Sequence, residues 1–264
     1  MRRLNVTADW FKKKSTDMLL KKDNLLILGY PMWNGQMWTN IGKMQATGWE
    51  LSVNWNDKVS DFGYEIGVNL SSVKNKAVKL LGESPILTGG FNGDYIIRNE
   101  EGGEISRFYG YVADGLFQNQ TEVNAHTGEH GEVLQPNAVP GDIRFKDLNN
   151  DGVLDDKDKV YLGSAFPDLM LGLNTHFTYK DFDLVANFYG TFGNDIFNKT
   201  TAELYSGVGG SNVFAGTYEK AWNGEGTSNE TPRLSVNDAN NNYKRVSSFF
   251  VENGSYLRCK LLQL

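Results

Sequence analysis

The stretch WELSVNW, residues 49–55, alternates apolar and polar residues without an error, and the stretch FGYEIGVNL, residues 62–70, continues this alternation. Successive side chains of a β-strand point to opposite faces, so each stretch gives a strand with one apolar face and one polar face. Trp49 and Trp55 place aromatic rings at both ends of the first apolar face. The pattern therefore predicts a sheet that is apolar on one side.

The spacing of the strands points to the architecture. Alternation predicts six strands, at residues 4–13, 47–56, 62–75, 169–179, 182–192 and 256–264. Residues 56–61 and 180–181 are short enough to form hairpin turns, whereas the other three connections are long. Short and long connections that alternate in this way are typical of transmembrane barrels with tight periplasmic turns and large extracellular loops. A soluble sandwich rarely contains loops of dozens of residues.

The predicted fold class is all-β: an antiparallel up-and-down transmembrane β-barrel segment, about six strands of a larger barrel, with long extracellular loops. Four aromatic residues flank the short turns, where a girdle would meet the inner headgroup layer: Trp55, Phe62, Tyr179 and Phe182. Seven side chains of the polar strand face are expected to line the lumen and meet the substrate: Glu50, Asn54, Glu65, Asn69, Asn174, His176 and Asn187. Six strands are too few to close a membrane barrel, which needs about eight.

Composition excludes several classes of function. The 264 residues include 26 basic and 32 acidic ones without a basic cluster in the sequence, which argues against nucleic acid as a partner. No run of about 18 apolar residues occurs, so no transmembrane helix is predicted. The single Cys259 excludes an internal disulfide. The sequence starts in a strand pattern without an apolar signal core and stops within another strand, which predicts a fragment cut at both ends.

Residues 147–158, DLNNDGVLDDKD, match the twelve-residue calcium loop. Gly152 stands at position 6, where the loop turns sharply, and Asp158 replaces the usual Glu at position 12 with a shorter reach. The predicted ligands are Asp147, Asn149, Asp151, Val153, Asp155 and Asp158. The alternative is an Asp- and Asn-rich turn held by its own side-chain hydrogen bonds. Repulsion among five acidic side chains favours a structural Ca²⁺ ion here.

Catalytic chemistry has little support. The pentapeptide HTGEH, residues 126–130, matches the zinc-peptidase pattern, which needs both histidines one turn apart on a helix. Gly128 and the surrounding Asn, Gly and Pro residues argue against that helix, so we predict that the chain is not an enzyme. Aromatic residues are scattered through the predicted long loops, as on a wet recognition surface: Trp33, Trp38, Tyr95, Tyr205 and Trp222.

Six segments, taken in order, resemble the C-terminal barrel part of SusC/RagA-like TonB-dependent outer-membrane transporters. They are residues 4–12, 40–51, 110–118, 140–147, 190–198 and 254–258. The resemblance implies that residues 1–264 are a partial C-terminal region of such a receptor barrel in a Gram-negative outer membrane, with plug domain and signal peptide absent. It also implies import of oligosaccharides or peptides, energy from TonB through the missing N-terminal region, and a SusD-like surface lipoprotein as a lid.

Under this interpretation, residues 76–168 form one long extracellular loop with the calcium-like motif, and a metal ion there would stiffen a loop that contacts the lid or the substrate. A second hypothesis is a secreted, calcium-stabilised β-sandwich that binds carbohydrate through Trp and Tyr. In that fold the apolar strand faces would pack against a second sheet. In a barrel they would face outer-membrane lipid, so the isolated chain would tend to aggregate in water.

Overall fold

The computed structural model describes residues 3–23, 36–82, 85–210 and 212–264. The strands within these ranges are β1 Leu4–Asp23, β2 Gln36–Val59, β3 Phe62–Lys79, β4 Ile86–Phe91, β5 Asp94–Asn99, β6 Arg107–Gly110, β7 Ala113–Leu116, β8 Ile143–Phe145, β9 Val160–Ser164, β10 Leu169–Tyr179, β11 Phe182–Phe192, β12 Asp195–Phe197, β13 Val251–Asn253 and β14 Tyr256–Gln263. The α-helices are α1 Gln120–Ala125, α2 Lys199–Leu204 and α3 Thr217–Lys220.

The main sheet has six strands in the order β1-β2-β3-β10-β11-β14, and every neighbouring pair is antiparallel. All six predicted strands and both predicted hairpins are confirmed, but the predicted start of the first turn at residue 56 is wrong, because β2 continues to Val59 and leaves a turn of residues 60–61. Ser60 and Lys180 open these turns in the left-handed backbone region, with φ of 55° and 53°. The antiparallel all-β class is therefore confirmed. In the described part of the chain the sheet is open, with β1 and β14 at its edges.

The first two strands are much longer than predicted. The predicted ends at residues 13 and 47 are wrong, because pairing continues from Lys14 and Gln45 to Asp23 and Gln36. Register shifts around Met18 interrupt this extension. The β1 part of the extension is largely exposed on both faces, so its sequence did not need the alternation from which strands are predicted.

The register of the main sheet places its apolar side chains in rows that cross several strands. One central row is Val6, Val53, Val68, Leu173 and Phe188. At the margins of this face Trp10 is 69% exposed and Phe182 is 67% exposed. The hydrophobic clusters found among the described residues contain no side chain of this sheet. The β-sandwich hypothesis requires this apolar face to pack against a second sheet. That expectation is wrong for the part of the chain that the structure describes.

The two long connections fold together into what we call the loop domain, residues 80–168 and 193–255. It contains a four-stranded sheet, β4-β5-β6-β9, and two small sheets, β7-β8 and β12-β13. The predicted loop of residues 76–168 thus begins inside β3, which ends at Lys79. Its interior is closed, since four phenylalanines of the core are at most 1% exposed: Phe91, Phe117, Phe145 and Phe250.

The two connections meet directly at Gly110 in β6. A Cβ atom at this position would lie 2.3 Å from the carbonyl oxygen of Val246, so only glycine allows this approach. The adjacent Tyr111 forms a parallel bridge with Ser247, and its N–H donates to the Val246 carbonyl at 2.9 Å. The loop domain is therefore one folded unit built from two distant segments of sequence.

Candidate functional site

The polar face of the main sheet carries the seven residues predicted to line the lumen. Cross-strand pairing sets Asn54 opposite Gly67, Gly67 opposite Asn174, and Asn174 opposite Asn187. Side chains two residues apart on one strand share a face, so the other four predicted residues lie on this face as well. The structure brings all seven to one side of the sheet, opposite the apolar rows.

For the residues that the structure describes, the side chains of this face form hydrogen bonds only with near neighbours on the same or the adjacent strand. Much of the face is therefore available to solutes. His176 pairs with Glu65 across β10 and β3, and its Nε2 lies 2.8 Å from the Asp183 carboxylate. The Asn54 amide reaches the Ser52 hydroxyl at 3.4 Å. Amides, hydroxyls and carboxylates of this kind can bind hydrated and hydroxyl-bearing molecules and offer little to apolar ones.

A shallow cleft of about 260 Å³ lies where β1, β2 and β3 present their polar side chains. Its polar lining residues are Thr7, Asp9, Glu50, Ser52, Asn69 and Ser71. Asp9 and Glu50 are direct cross-strand neighbours, so two carboxylates stand side by side at its floor. The cleft is thus the most acidic part of this face in the region of the first three strands.

Aromatic rings border the apolar face at both ends. Beside the short turns, Phe62 pairs with Tyr179, which in turn pairs with Phe182. At the opposite end Trp10 and Trp49 form a cross-strand pair, 69% and 40% exposed. The sequence signal for this second row is the position of Trp10 at the end of the apolar alternation of β1.

The loop domain is held together by a buried polar network that sequence reasoning missed. Asp142 is fully buried, and its carboxylate accepts a hydrogen bond from Arg233 Nε at 2.7 Å. The same carboxylate accepts from the Asn242 side chain at 2.9 Å and from the Val139 backbone at 2.9 Å. A buried carboxylate is stable only with such partners. Asp142 therefore joins the two long connections.

Buried amides extend this network around Ile143. Its N–H donates to the Asn242 side chain at 2.9 Å, and its carbonyl accepts from Gln135 and Asn240 at 2.9 and 3.0 Å. Asp238 receives the backbone N–H groups of residues 242 and 243, while burial raises the pKa of its carboxyl group. The run DANNNYKR at residues 238–245 was the available signal, since so many Asn and Asp side chains serve to satisfy backbone groups.

The acidic loop adopts the turn that its sequence predicts. Gly152 has a φ of 80°, and its N–H donates to Asp147 Oδ2 at 2.9 Å. Asp158 is fully buried, and its two oxygens accept from the backbones of Leu148 and Asp155, each at 2.9 Å. Asp147 Oδ1 is buried and has no hydrogen-bond partner among the described residues. That oxygen has the chemistry of a hard-cation ligand.

Other contacts in the acidic loop satisfy its charges internally. The Lys157 ammonium lies 3.0 Å from Asp151 and 3.6 Å from Asp155, and its hydrogen bond lowers the pKa of the Asp151 carboxyl group. Among the described residues no group of three or more His, Cys, Asp or Glu side chains is arranged to hold a metal ion. Lys157 thus neutralises the carboxylates of residues 151 and 155, while Asp147 Oδ1 stays buried without a hydrogen-bond partner among the described residues.

The segment with the zinc-peptidase pattern is not helical. Helix α1 stops before His126, and a turn follows through residues 128–131. His126 Nε2 lies 3.0 Å from the Phe145 carbonyl, and burial lowers the pKa of its imidazole. Glu129 and His130 are exposed. The predicted absence of the required helix is confirmed, and His126 belongs to the packing of the loop domain.

The predicted loop aromatics differ in exposure. Trp33 lies outside the described residues, and Trp38 lies in β2, so its assignment to a loop is wrong. Trp222 is partly buried, lies against Gly141, and donates to the Gln118 side chain at 3.3 Å. Tyr205 packs on the Phe250 cluster. Within the loop domain, Tyr95 is the member of this set whose ring is exposed, at 47%.

A ladder of two arginines and two tyrosines crosses the four-stranded sheet. The Arg107 guanidinium lies 3.6 Å from the centre of the Tyr161 ring, and Arg98 lies 4.7 Å from that of Tyr109. The two rings are 5.4 Å apart. Burial and a hydrogen bond to Glu100 raise the pKa of Tyr161 to about 12. The two rings meet edge to face, and the ladder is a partly exposed surface of the loop domain.

Comparison with known sequences gives consistent relatives over nearly the whole chain. TonB-dependent receptor P3 of Formosa agariphila is 30% identical over 98% of the chain, and SusC of Bacteroides thetaiotaomicron is 26% identical over 99% of it. The chain spans about a quarter of the length of these relatives, 25% and 24%. No protein-family model matches the chain. The resemblance to SusC/RagA-like TonB-dependent receptors is confirmed.

Solved structures agree with this result at the level of the fold. The chain superimposes on the RagAB peptide transporter with a TM-score of 0.69 at 18% identity, covering 98% of the chain and 26% of that protein. The open-open state of the RagAB peptide importer gives a TM-score of 0.71 at 19% identity, with the same coverage. In the described ranges, no helix is both long enough and apolar enough to cross a membrane.

Proposed function

We propose that this chain, which is homologous over nearly its whole length to part of the TonB-dependent receptors, is a segment of an outer-membrane transport barrel. The observation that carries the proposal is the exposed apolar face of the six-stranded sheet. A face of this kind is unfavourable in water, and lipid is the solvent that suits it. The edges at β1 and β14 would pair with further strands of the whole protein.

The height of the apolar face supports this assignment. Along β2, the ten residue-to-residue steps from Trp49 to Val59 span about 33 Å at the usual rise of a strand. A tilt of about 40° reduces this to about 25 Å along the membrane normal, which is the height of the apolar band of outer-membrane barrels. Aromatic rings border the band at both ends, as the two girdles of such barrels do.

The polar face would then line the lumen. Glu50, Asn54, Asn174 and Asn187 would contact the solute as it passes, together with the other predicted residues of that face. Their amides and carboxylates suit hydroxyl-rich or peptide-like solutes, in agreement with the expectation of oligosaccharides or peptides. The name of the RagAB structure, a peptide transporter, makes peptides the first class to test.

The loop domain would stand outside the cell, because it joins the strands at the end opposite the short turns. There it would contact a SusD-like lipoprotein lid, and TonB would supply energy through the plug region of the whole protein. Support for both partners comes from the relatives, which include TonB-dependent receptors and SusC itself. The Arg and Tyr ladder of the four-stranded sheet is the part of the loop domain best suited to carboxylate-bearing or ring-shaped groups.

We also propose that the acidic loop binds Ca²⁺ through Asp147, Asn149, Asp151, Val153, Asp155 and Asp158, as a structural ion of the loop domain. The twelve-residue spacing, the turn at Gly152 and the unpartnered Asp147 Oδ1 support this proposal. The ion would neutralise the carboxylates and stiffen the loop.

The calcium proposal has a direct test. Asp147→Ala combined with Asp151→Ala should abolish Ca²⁺-dependent protection of residues 147–158 from proteolysis in the full-length receptor. The exposed Asp156→Asn serves as a control for the change in charge. If the wild-type loop is cut equally fast with Ca²⁺ and with a chelator, the turn is held by its own hydrogen bonds and the metal proposal is wrong.

Transport is tested in cells that carry the complete receptor gene. Uptake of fluorescent peptide and oligosaccharide mixtures should depend on the receptor, and it should stop when TonB is deleted. Removal of residues 147–158 should weaken uptake or co-purification of the surface lipoprotein. Uptake that continues without the receptor gene, or that is unaffected by loss of TonB, would contradict the proposed function.

A further inference from the structure

We infer that four lysines at the loop-domain end of the apolar face form a docking surface for the phosphate-bearing headgroups of anionic lipids. The lysine block consists of Lys12, Lys14, Lys74 and Lys76. This inference rests on the proposed function, since it takes the apolar face to be in contact with lipid. It adds a specific lipid partner to that function.

Strand pairing assembles the lysine block from two distant parts of the sequence. Lys12 pairs with Thr47, which pairs with Lys74 on the next strand. One row further on, Lys14, Gln45 and Lys76 pair in the same way. Both rows have the strand parity of the apolar face. The sequence shows Lys12 and Lys14 only as part of a run of three lysines, and the strand register is needed to bring Lys74 and Lys76 to the other side of β2.

The position of the block along the strands coincides with the level of lipid headgroups. Its first row lies two residues beyond the Trp10–Trp49 pair on the same face. Two residues correspond to about 7 Å along a strand, or about 5 Å along the membrane normal at a tilt of about 40°. Aromatic belts lie at the headgroup level, so the ammonium groups reach the phosphate layer while their stems stay near the apolar face.

The dimensions of the block suit one or two phosphate groups. Strands two apart are separated by about 10 Å, so Lys12 and Lys74 flank a gap of that width with Thr47 between them. The two rows are about 7 Å apart. Thr47 and Gln45 add a hydroxyl and an amide between the charges, and both can bind phosphate oxygens.

The charge of the block is largely uncompensated. Lys12, Lys14 and Lys76 are exposed, and none of them forms an ion pair within the described ranges of the chain. Lys74 pairs with Asp168. At the turn end of the apolar face the charges are compensated, because Arg3 and Asp57 form an ion pair at 3.1 Å. Excess positive charge thus lies at one end of the apolar band, where it favours an anionic partner.

Continuity with the apolar band selects lipid as the occupant. A soluble anion would need only the lysines, whereas a lipid places its acyl chains along the apolar face towards the row of Val6 and Val53 and its phosphate among the ammonium groups. Attraction of basic side chains to anionic lipid is additive over a few charges and is screened by salt. Binding should therefore weaken as ionic strength rises.

The test uses the full-length receptor in neutral detergent. Native mass spectrometry follows the binding of phosphatidylglycerol and of phosphatidylcholine with the same acyl chains. The block variant is Lys12→Gln, Lys14→Gln and Lys76→Gln. The matched control is Lys13→Gln, Lys58→Gln and Lys180→Gln, which removes the same charge from the polar face and from a turn. Heat-modifiable gel mobility establishes that each variant is folded.

We expect the wild type and the control to prefer phosphatidylglycerol, and the block variant to lose roughly 100-fold in affinity at low salt. Equal preference for the two lipids in the wild type, or equal loss in both triple variants, would overturn the inference while the barrel remains intact. If residue 53 does not contact lipid at all, both this inference and the proposed function are wrong.

Discussion

The six-stranded sheet and the loop domain place the same kind of residue in opposite surroundings. Phe182 of the sheet is 67% exposed, whereas Phe250 of the loop domain is fully buried against four aromatic rings. The buried clusters among the described residues all lie in the loop domain. Under the proposed function, the two regions of the chain are built for different solvents: the loop domain for water, and the sheet for a medium that accepts apolar surface.

Truncation of a phenylalanine in each region should give the largest difference. Phe250→Ala leaves a cavity beside Phe91 and Tyr243 and should cost the loop domain about 3–5 kcal/mol. Phe182→Ala at the exposed margin of the sheet should cost about 1 kcal/mol or less. Urea titration of the full-length receptor, followed by proteolysis of the loop domain and by gel mobility of the barrel, separates the two effects. Equal costs would mean that Phe182 is packed in a core.

Charge on the two faces of β2 should give the next effect in size. Val53→Arg puts a cation in the centre of the apolar face and should cost about 2–4 kcal/mol, with loss of assembly into the membrane. Asn54→Arg places the same side chain on the polar face and should assemble normally. The yield of folded barrel in outer-membrane fractions measures both. Normal assembly of Val53→Arg would show that this face does not meet lipid.

The buried network of the loop domain should be more sensitive to charge than its surface. Asp142→Asn keeps the size of the side chain but removes the charge that faces Arg233, and it should cost about 1.5–3 kcal/mol. Asp156→Asn, at a residue whose side chain is 88% exposed in its pair with Lys159, should change stability by about 0.5 kcal/mol or less. Proteolysis in urea reports both variants. If Asp142→Asn leaves the stability of the loop domain unchanged, the two connections are not held together by this network.

The smallest expected effect is a pH dependence confined to the loop domain. Burial lowers the pKa of His126, so the folded state prefers the neutral imidazole. Its contribution to stability is complete above the unfolded pKa of about 6.5, and it is lost as the pH falls from there through the lowered folded value. His126→Gln should remove this dependence.

Hydrogen exchange of residues 126–145, compared between wild type and His126→Gln at each pH, measures the difference. The sheet serves as the internal reference, because His126 lies outside it. Identical exchange in the two proteins from pH 7.5 to 5 would show that the protonation of this histidine is not coupled to folding.

The main sheet could be predicted from sequence, because the alternation of residues such as Val53 and Asn54 directly reflects which face is apolar. The extension of β1 beyond residue 13 could not, since a strand exposed on both faces needs no alternation. The loop domain also escaped prediction. Its core forms from contacts between residues about 100 positions apart, such as Asp142 with Asn242, and nothing local in either segment reports such a contact.

The candidate site divides in the same way. Local spacing located the acidic loop and the polar side of each strand, because both depend only on residues close in sequence. The lysine block and the Trp10–Trp49 pair depend on strand register, which fixes partners from distant positions. Sequence alone gives the parity of each strand but not the offset between strands. Residues that act through cross-strand proximity therefore become visible only in the structure.

The most direct test of the proposed barrel is to measure whether each face of β2 contacts lipid or water. Single cysteines at residues 53 and 54, in a full-length receptor with Cys259→Ser, are exposed in membranes to a lipid-soluble and a water-soluble thiol reagent. If the apolar face of the sheet meets lipid, Val53→Cys reacts with the lipid-soluble reagent and Asn54→Cys with the water-soluble one. Protection of Val53→Cys from both reagents, in protein recovered from the soluble fraction, would contradict the barrel and indicate a packed protein core.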